Sequence, residues 1–599
     1  MNKGLAYFLL ALALLLHTTV RSQQEHPVLK KLDSLIEADA FESIQEMVTA
    51  ERIKEGDNSS LNLGKLVYPL AKSEFLLKND TDFPLAQNLL KDLEANKHAD
   101  SIQYEAFLGL GLVHIDQGNI LKANEFLTRA NDLANIMNDA QRKVASEFHL
   151  GEIGLKLGDV DQLAEHTDKA LGLMGTYPKA RFPLAPRILN YKASLMHLMA
   201  KPDSANYYFE MAIKSVNSLE QNPERQYYLP GTIYGNWTMV KQSAGDYEAA
   251  MELTLRSISS FNNFLQNTHN HFLTEKVHGN LSIAYRNLGS IYNDQGDKEK
   301  AIQVATLGYN HAKKHFRRNT VQYFSAVLMM AEAHIYGESV EKGSMFLKQA
   351  EASLLSIPGD NWSYAANLYF AMADLERKKG NSSSAIAYYQ KTLEAYTNSS
   401  ADEFSQNIIY ARANLAQVYA ENEQFEEALS LGQITYSKVV KAYGIDSYLA
   451  HMLQLSKIKI YFLMSDFEGA IELCKEFLGQ SDNAGNVSNR PFIWNEKTEV
   501  LLYLAKSKLN LLPHSLKNLF EISQIIDEAT SLVEKRKSLV TSQEAIGNLI
   551  ANNKEVFNVA KKVYLELYQQ TQDRSYLEKV MALHESSIYN RIRARLNLT

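Results

Sequence analysis

The feature that most constrains this chain is a short pattern: a glycine, four residues, then an alanine opening helix-compatible sequence. It recurs as Gly118…Ala123, Gly245…Ala250, Gly296…Ala301 and Gly380…Ala385, with Gly158…Leu163 a degenerate copy. With weaker copies included, the anchor falls at Ala86, Ala123, Leu163, Ala205, Ala250, Ala301, Gly343, Ala385, Ala428 and Ala470. Successive spacings are 37, 40, 42, 45, 51, 42, 42, 43 and 42 residues. A chain of 599 residues would ordinarily suggest about four globular domains, but a steady period of this length marks stacked supersecondary units instead.

Offsets around the anchor show what each unit is. Small residues stand seven positions after it at Ala130, Ala170, Ala212 and Ala350, and Phe209, Tyr389 and Cys474 stand four after it. Offsets of four and seven lie on one helical face. Upstream, Leu110-Gly111, Leu150-Gly151, Leu288-Gly289 and Leu415-Ala416 occupy positions thirteen and twelve before the anchor, with Tyr292, Tyr419 and Tyr461 nine before it. These share a face of a first helix, and the small residue beside the leucine allows close approach of the second. Each unit is thus two antiparallel helices around a tight turn such as Asn293-Asp294-Gln295-Gly296-Asp297. The composition agrees, with only 12 Pro and 28 Gly and 45% apolar residues. That excludes collagen-like, disordered and disulfide-rich classes.

The pattern resembles the tetratricopeptide repeat, at a unit length similar to that of kinesin light chain type repeats. The resemblance covers about residues 60 to 480. It implies an all-α, right-handed superhelical solenoid of about ten helix pairs followed by a C-terminal helical segment, with a concave groove lined by first helices. Asn236, Asn287 and Asn414 each stand fourteen residues before an anchor, one position before Trp237, Leu288 and Leu415. One residue turns a side chain about 100° from the packing seam, toward the concave wall. An asparagine there can bond the backbone amide of an extended peptide, or bond a neighbouring helix instead. The resemblance implies the clamping role for the asparagines, and Arg286, next to Asn287, can add a charge-assisted contact to an acidic ligand. The expected partner is therefore a protein or peptide. With 62 basic against 69 acidic residues, nucleic acid is not expected.

The last hundred residues read differently. A polar linker is expected at 479–491, and helices at 495–512, 515–536, 552–571 and 575–595. Glu496-Lys497-Thr498-Glu499, Ala529-Thr530, Glu534-Lys535-Arg536, Lys554-Glu555-Val556-Phe557, Leu565-Glu566-Leu567-Tyr568, Asp573, Tyr576-Leu577-Glu578 and Ala582 to Ser587 are similar to the segment that leads into CHAT domains, caspase-like modules. Where that family commonly has a lysine after its Glu-x-Ser element, this chain has Ile588. The resemblance covers 496–596 and implies an array of the CHAT-associated type whose catalytic half is absent here, and which serves either as a scaffold or as the regulatory half of such a protease.

Catalytic chemistry within the chain is not expected. His278-Gly279 and Cys474 are the residues closest to a caspase-type dyad, but the first falls in a helical or linking segment and the second on a second helix, not at strand ends. His269, His271, Glu275 and His278 lie in the longest spacing, and 271, 275 and 278 share a helical face. They read as surface residues of an elongated linker, so neither a metal nor a cofactor is expected. Phosphate-loop, nucleophile-elbow and dinucleotide motifs are missing from the sequence.

At the N-terminus, Lys3, the twelve apolar residues Leu5 to Leu16 and a polar stretch to Gln24 have the layout of a secretory signal peptide. Twelve apolar residues are short of the roughly 20 that span a bilayer. The expected organisation is a signal peptide at 1–22, an N-terminal helical cap at 23–59, the repeat array at 60–478, the linker, and the helical segment 492–599, in a periplasmic or extracellular protein. Mass spectrometry of the exported protein is expected to find Gln23 as the first residue; an intact Met1 would refute cleavage after Ser22.

Overall fold

The computed structural model describes residues 27–37, 40–53, 62–78, 82–95, 99–157, 159–177, 182–199, 201–219, 221–244, 246–267, 271–295, 297–337, 339–357, 361–399, 406–445, 447–483, 491–538 and 543–596. Every regular element among them is helical. After α1 (Pro27–Glu37) and α2 (Phe41–Ile53), helices alternate in antiparallel pairs. The pairs are α3 and α4 (Val67–Lys78, Pro84–Ala95), α5 and α6 (Asp100–Gln117, Ile120–Met137), α7 and α8 (Ala140–Leu157, Val160–Thr176), α9 and α10 (Ala185–Leu198, Pro202–Asn217), and α11 and α12 (Leu229–Ser243, Tyr247–Asn267). They continue with α13 and α14 (His271–Asp294, Lys298–His315), α15 and α16 (Val321–Tyr336, Val340–Leu355), α17 and α18 (Trp362–Lys378, Ser382–Asn398), α19 and α20 (Gln406–Glu421, Phe425–Tyr443), and α21 and α22 (Tyr448–Leu463, Phe467–Asn483). Each of these ten pairs carries one anchor in its second helix, so the chain is an all-α helical repeat solenoid.

One turn geometry produces the repeat. In nine pairs the residue four before the anchor donates its backbone N–H to the carbonyl five residues earlier, from Asn119 to His114 (2.9 Å), Asp297 to Tyr292 (2.8 Å) and Asp466 to Tyr461 (3.1 Å), for example. That six-to-one closure ends the first helix and needs a left-handed residue in between. Gly118 (φ 82°), Gly380 (79°), Glu423 (61°) and Ser465 (60°) hold that place. The same residue then caps the second helix: Asn119 Oδ1 accepts from Lys122 N, and Asp297 Oδ1 from Lys300 N. Its carbonyl accepts the anchor's own N–H, at 3.0 Å for Ala123, Ala250, Ala301 and Ala385. The anchor is therefore the first residue to close the second helix, facing straight back at the first. A small side chain there costs no separation.

First and second helices are buried to different degrees. Eleven residues of α15 are buried but only Gly343, Leu347, Ala350 and Ser353 of α16, a single stripe at helical spacing. First helices are therefore enclosed by neighbours, while second helices form the outer wall. Close approach is needed at specific glycines. A Cβ on Gly111 would stand 2.7 Å from Leu127 Cγ, as the leucine-glycine pattern predicts, but at Gly151 and Gly289 the nearest atoms are 3.5 and 3.8 Å away. The tightest contact in that region is at Gly154, whose Cβ would lie 2.6 Å from the backbone nitrogen of Leu163.

Two expectations change here. The 51-residue spacing is no linker: α12 and α13, at 21 and 24 residues, are the longest helices of the ten pairs. The segment 479–491 does not end the array either. α22 runs to Asn483, a further helix α23 (Pro491–Leu511) begins at Pro491, and 484–490 lie outside the described residues. Leu455, Ile458, Cys474, Phe477, Val500 and Leu504 form one core cluster across α21, α22 and α23. α23 pairs with α24 (Leu516–Ser538), and Leu501, Ile522, Ile526, Val559 and Val563 carry the packing on to α26 (Lys554–Thr571). α25 (Gln543–Asn552) and α27 (Arg574–Leu596) complete the described chain. The expected signal sequence lies outside the described residues. None of their helices is long and apolar enough to cross a membrane.

Gly154→Ala should lower the unfolding free energy by about 1–3 kcal/mol, since backbone must move. Glu423→Gly, relieving a left-handed residue, should raise it by roughly 0.5–1 kcal/mol. Urea titrations followed by circular dichroism would show both, and equal midpoints for the two variants would refute the turn geometry.

Candidate functional site

Curvature of the stack brings together side chains distant in sequence. Lys276 of α13 lies 3.9 Å from Asp116 of α5, four pairs away. Further along, a cavity of about 720 Å³ is lined by α13, α15, α17, α19, α21 and α23, and bounded by Tyr247 of α12 and by Arg536, Asn552, Asn553, Glu555 and Val556 near the C-terminal helices. Small residues on α13 and α14, Gly289, Ser290, Ala301 and Ala305, leave the space open on one wall.

Of the predicted groove residues, Arg286, Asn287 and Asn414 line this cavity. Among the described residues neither asparagine side chain has a hydrogen-bond partner, although Asn287 is only 9% exposed. Asn236 is different. It is 5% exposed, and its Nδ2 donates to Asn190 Oδ1 of α9 at 3.1 Å. The reading of Asn236 as a groove residue is thus corrected: the preceding first helix offers a polar acceptor, and the amide is satisfied within the wall.

The cavity is rich in charge that sequence patterning missed. Arg286 and Lys298 come from the sixth pair, Arg377 and Lys378 from α17, Lys459 from α21, Lys506 from α23 and Arg536 from α24. Five carboxylates, Asp294, Glu332, Asp374, Glu499 and Glu555, oppose these seven cations. Most are engaged. Asp374 accepts from Tyr336 (2.6 Å) and Tyr389 (2.5 Å), Glu499 pairs with Lys459 (2.6 Å), Glu555 with Lys506 (3.4 Å), and Asp294 accepts from Gln242 (2.7 Å). Arg377 is held by both oxygens of Glu421. The lining therefore offers a positive surplus beside two unbonded amides, which suits a ligand with backbone carbonyls and acidic groups. A single cation in one repeat carries no sequence signal of facing inward, because the period fixes the seam and not the ligand.

Other candidate residues have structural places. Cys474 is fully buried, and burial pushes its thiol up to about 12, which suits a core position and not a nucleophile. Within the CHAT-like stretch, Thr498, Ala529, Phe557 and Leu567 are core, Lys497 pairs with Glu528 (3.0 Å), and Ser586 donates to Glu534 (3.0 Å). Of the predicted histidine cluster, His269 lies outside the described residues, and so do the side chains of His271 and Glu275. His278 instead faces α14. Burial pushes Lys276 down to about 8 and raises Asp116.

Glu496 stands beside this region, 6% exposed, with its Oε2 lacking a hydrogen-bond partner. Burial pushes it up to about 8, Glu499 adding to the effect and Arg536 and Lys459 opposing it. The folded chain thus holds this proton more tightly than an unfolded glutamate of pKa 4.5. Its stabilising effect is full below that value and is lost as pH rises through about 8. Wild type should therefore lose melting temperature relative to Glu496→Gln between about pH 5 and 8, and a gap that does not change with pH would refute the assignment.

Comparison with known proteins agrees with the repeat. Residues 283–307 and 366–398, in the sixth and eighth pairs, match the family model of the tetratricopeptide repeat. No curated protein matches the chain. Among solved structures, a Rap protein complexed with competence and sporulation factor is 16% identical over 62% of this chain and 97% of its own, with a TM-score of 0.42. Aspartyl phosphate phosphatase F from Bacillus subtilis is 15% identical over 63% and 96%, TM-score 0.40. The APC/C hetero-tetramer Cut9-Hcn1 is 12% identical over 93% and 95%, TM-score 0.40.

Proposed function

We propose that this solenoid, which carries tetratricopeptide repeats, is an exported, non-enzymatic interaction scaffold that holds an extended peptide or a partner's segment in its interior groove. The observation that carries this reading is the convergence of Asn287, Asn414 and Arg286, from pairs six and nine, on one cavity with seven cations and five carboxylates. Neither amide is bonded within the described residues, so each can meet a peptide group, while Arg286 and its neighbours meet acidic side chains or a carboxylate. The favoured ligand is an acidic peptide in extended form. The signal-like N-terminus supports an exported location.

A second reading draws on where the cavity is closed. Arg536, Asn553 and Glu555 belong to the CHAT-like segment, so a ligand in the groove touches the helices that precede a catalytic module in that family. In this reading the array is the regulatory half of a caspase-like protease, and ligand binding acts through α24 and α26.

The clamp is tested by capturing partners from the exported fraction with wild type and the Asn287→Ala/Asn414→Ala double variant, then measuring the recovered peptide's affinity. Two lost hydrogen bonds at about 0.5–1.5 kcal/mol each predict a loss of roughly 5- to 150-fold. Asn236→Ala should bind as wild type does but unfold more easily, by about 1–3 kcal/mol, because Asn190 loses its partner. Equal affinity of the double variant and wild type would sink the clamp.

A further inference from the structure

His278 lies in the second turn of α13, and His311 and His315 lie in the last turns of α14. Because these helices are antiparallel partners, the start of one meets the end of the other. His311 and His315, four residues apart, share a face. Nδ1 of His278 is 3.3 Å from Nε2 of His311, and one ring nitrogen from each of the three histidines lies within 4.8 Å of the other two. The His278 and His315 rings stack with centroids 3.8 Å apart, and those of His311 and His315 are 4.7 Å apart.

Metal–nitrogen bonds of about 2.0–2.1 Å in a tetrahedron place neighbouring ligand atoms roughly 3.3–3.4 Å apart. The His278–His311 pair already has that separation, and His315 is the exposed member, so its ring can turn inward without moving the helices. The surroundings shift all three imidazoles toward the neutral form, the one that donates to a metal. Burial comes first in each case; the neighbouring histidines add to it at His278 and His311, and Lys314 at all three. The ammonium of Lys314 opposes a bound cation, but its side chain is exposed and screened by water.

We infer that His278, His311 and His315 form a binding site for one divalent transition-metal ion of the zinc class. Three imidazole nitrogens are ligands that suit zinc, copper and nickel rather than magnesium or calcium. The fourth position opens to solvent beside His315 and takes water. The ion fastens the start of α13 to the end of α14, about 12 Å along α13 from Arg286 at 1.5 Å per residue. The site does not depend on the groove's having a peptide ligand.

The test uses the full chain without a purification tag, stripped of metal and titrated with Co²⁺ and then Zn²⁺. The expected result is one ion per chain, the visible absorption of tetrahedral Co²⁺ displaced by Zn²⁺, and a higher melting temperature with metal. His311→Ala and His315→Ala should each bind at least roughly tenfold more weakly, while His584→Ala should bind like wild type. His315→Ala removes an exposed side chain and should retain the wild-type circular dichroism. The assignment is overturned if wild type shows no cobalt band and no rise in melting temperature, or if His315→Ala binds as tightly as wild type.

Discussion

The rest of the structure depends on the bond that closes the first helix in nine of the pairs, an N–H reaching back five residues from the position that also caps the second helix. One residue thereby ends one element and starts the next, which fixes the angle between them without a loop. With that angle set, the anchor's N–H must bond the cap's carbonyl, and its side chain must face the first helix at close range. Ala123, Ala250, Ala301 and Ala385 are small because of this geometry. A helix pair alone leaves its inner face exposed, so the next pair covers it and the arrangement propagates.

Repetition of a slightly rotated unit makes a curved wall, and curvature gives the molecule an interior. Lys276 can meet Asp116 across four pairs only because the stack bends around. The same bend gathers arginines and lysines from α13, α17, α21, α23 and α24 onto one cavity, where their mutual repulsion is offset by carboxylates tied to tyrosines and lysines. This charged interior is built mainly from the enclosed first helices rather than from the outer wall.

How far the sequence could be read differs by element. The ten pairs and their anchors were legible because the turn imposes a residue type at a fixed offset. The eleventh pair was not, since the polar run after Leu478 looks like a boundary while the packing of Cys474 and Phe477 on Val500 and Leu504 crosses it. Among the asparagines, offset alone put Asn236 with Asn287 and Asn414. Whether the amide is satisfied depends on what the preceding helix presents, and only α9 presents Asn190. His278 stood out in the sequence, but beside neighbours on its own helix. Its contacts are His311 and His315, more than thirty residues on, which a period-based reading has no means of pairing with it.

By itself the sequence determined the class of the fold, the positions of its ten anchors, and the face on which each anchor lies, because local hydrogen bonding and side-chain size act within a few residues of the turn. Only the tertiary structure decided which polar groups meet. The curvature that brings Arg286, Arg377 and Arg536 to one cavity, satisfies Asn236 and leaves Asn287 unbonded is a sum of small rotations over many pairs, and that sum leaves no mark at any single position.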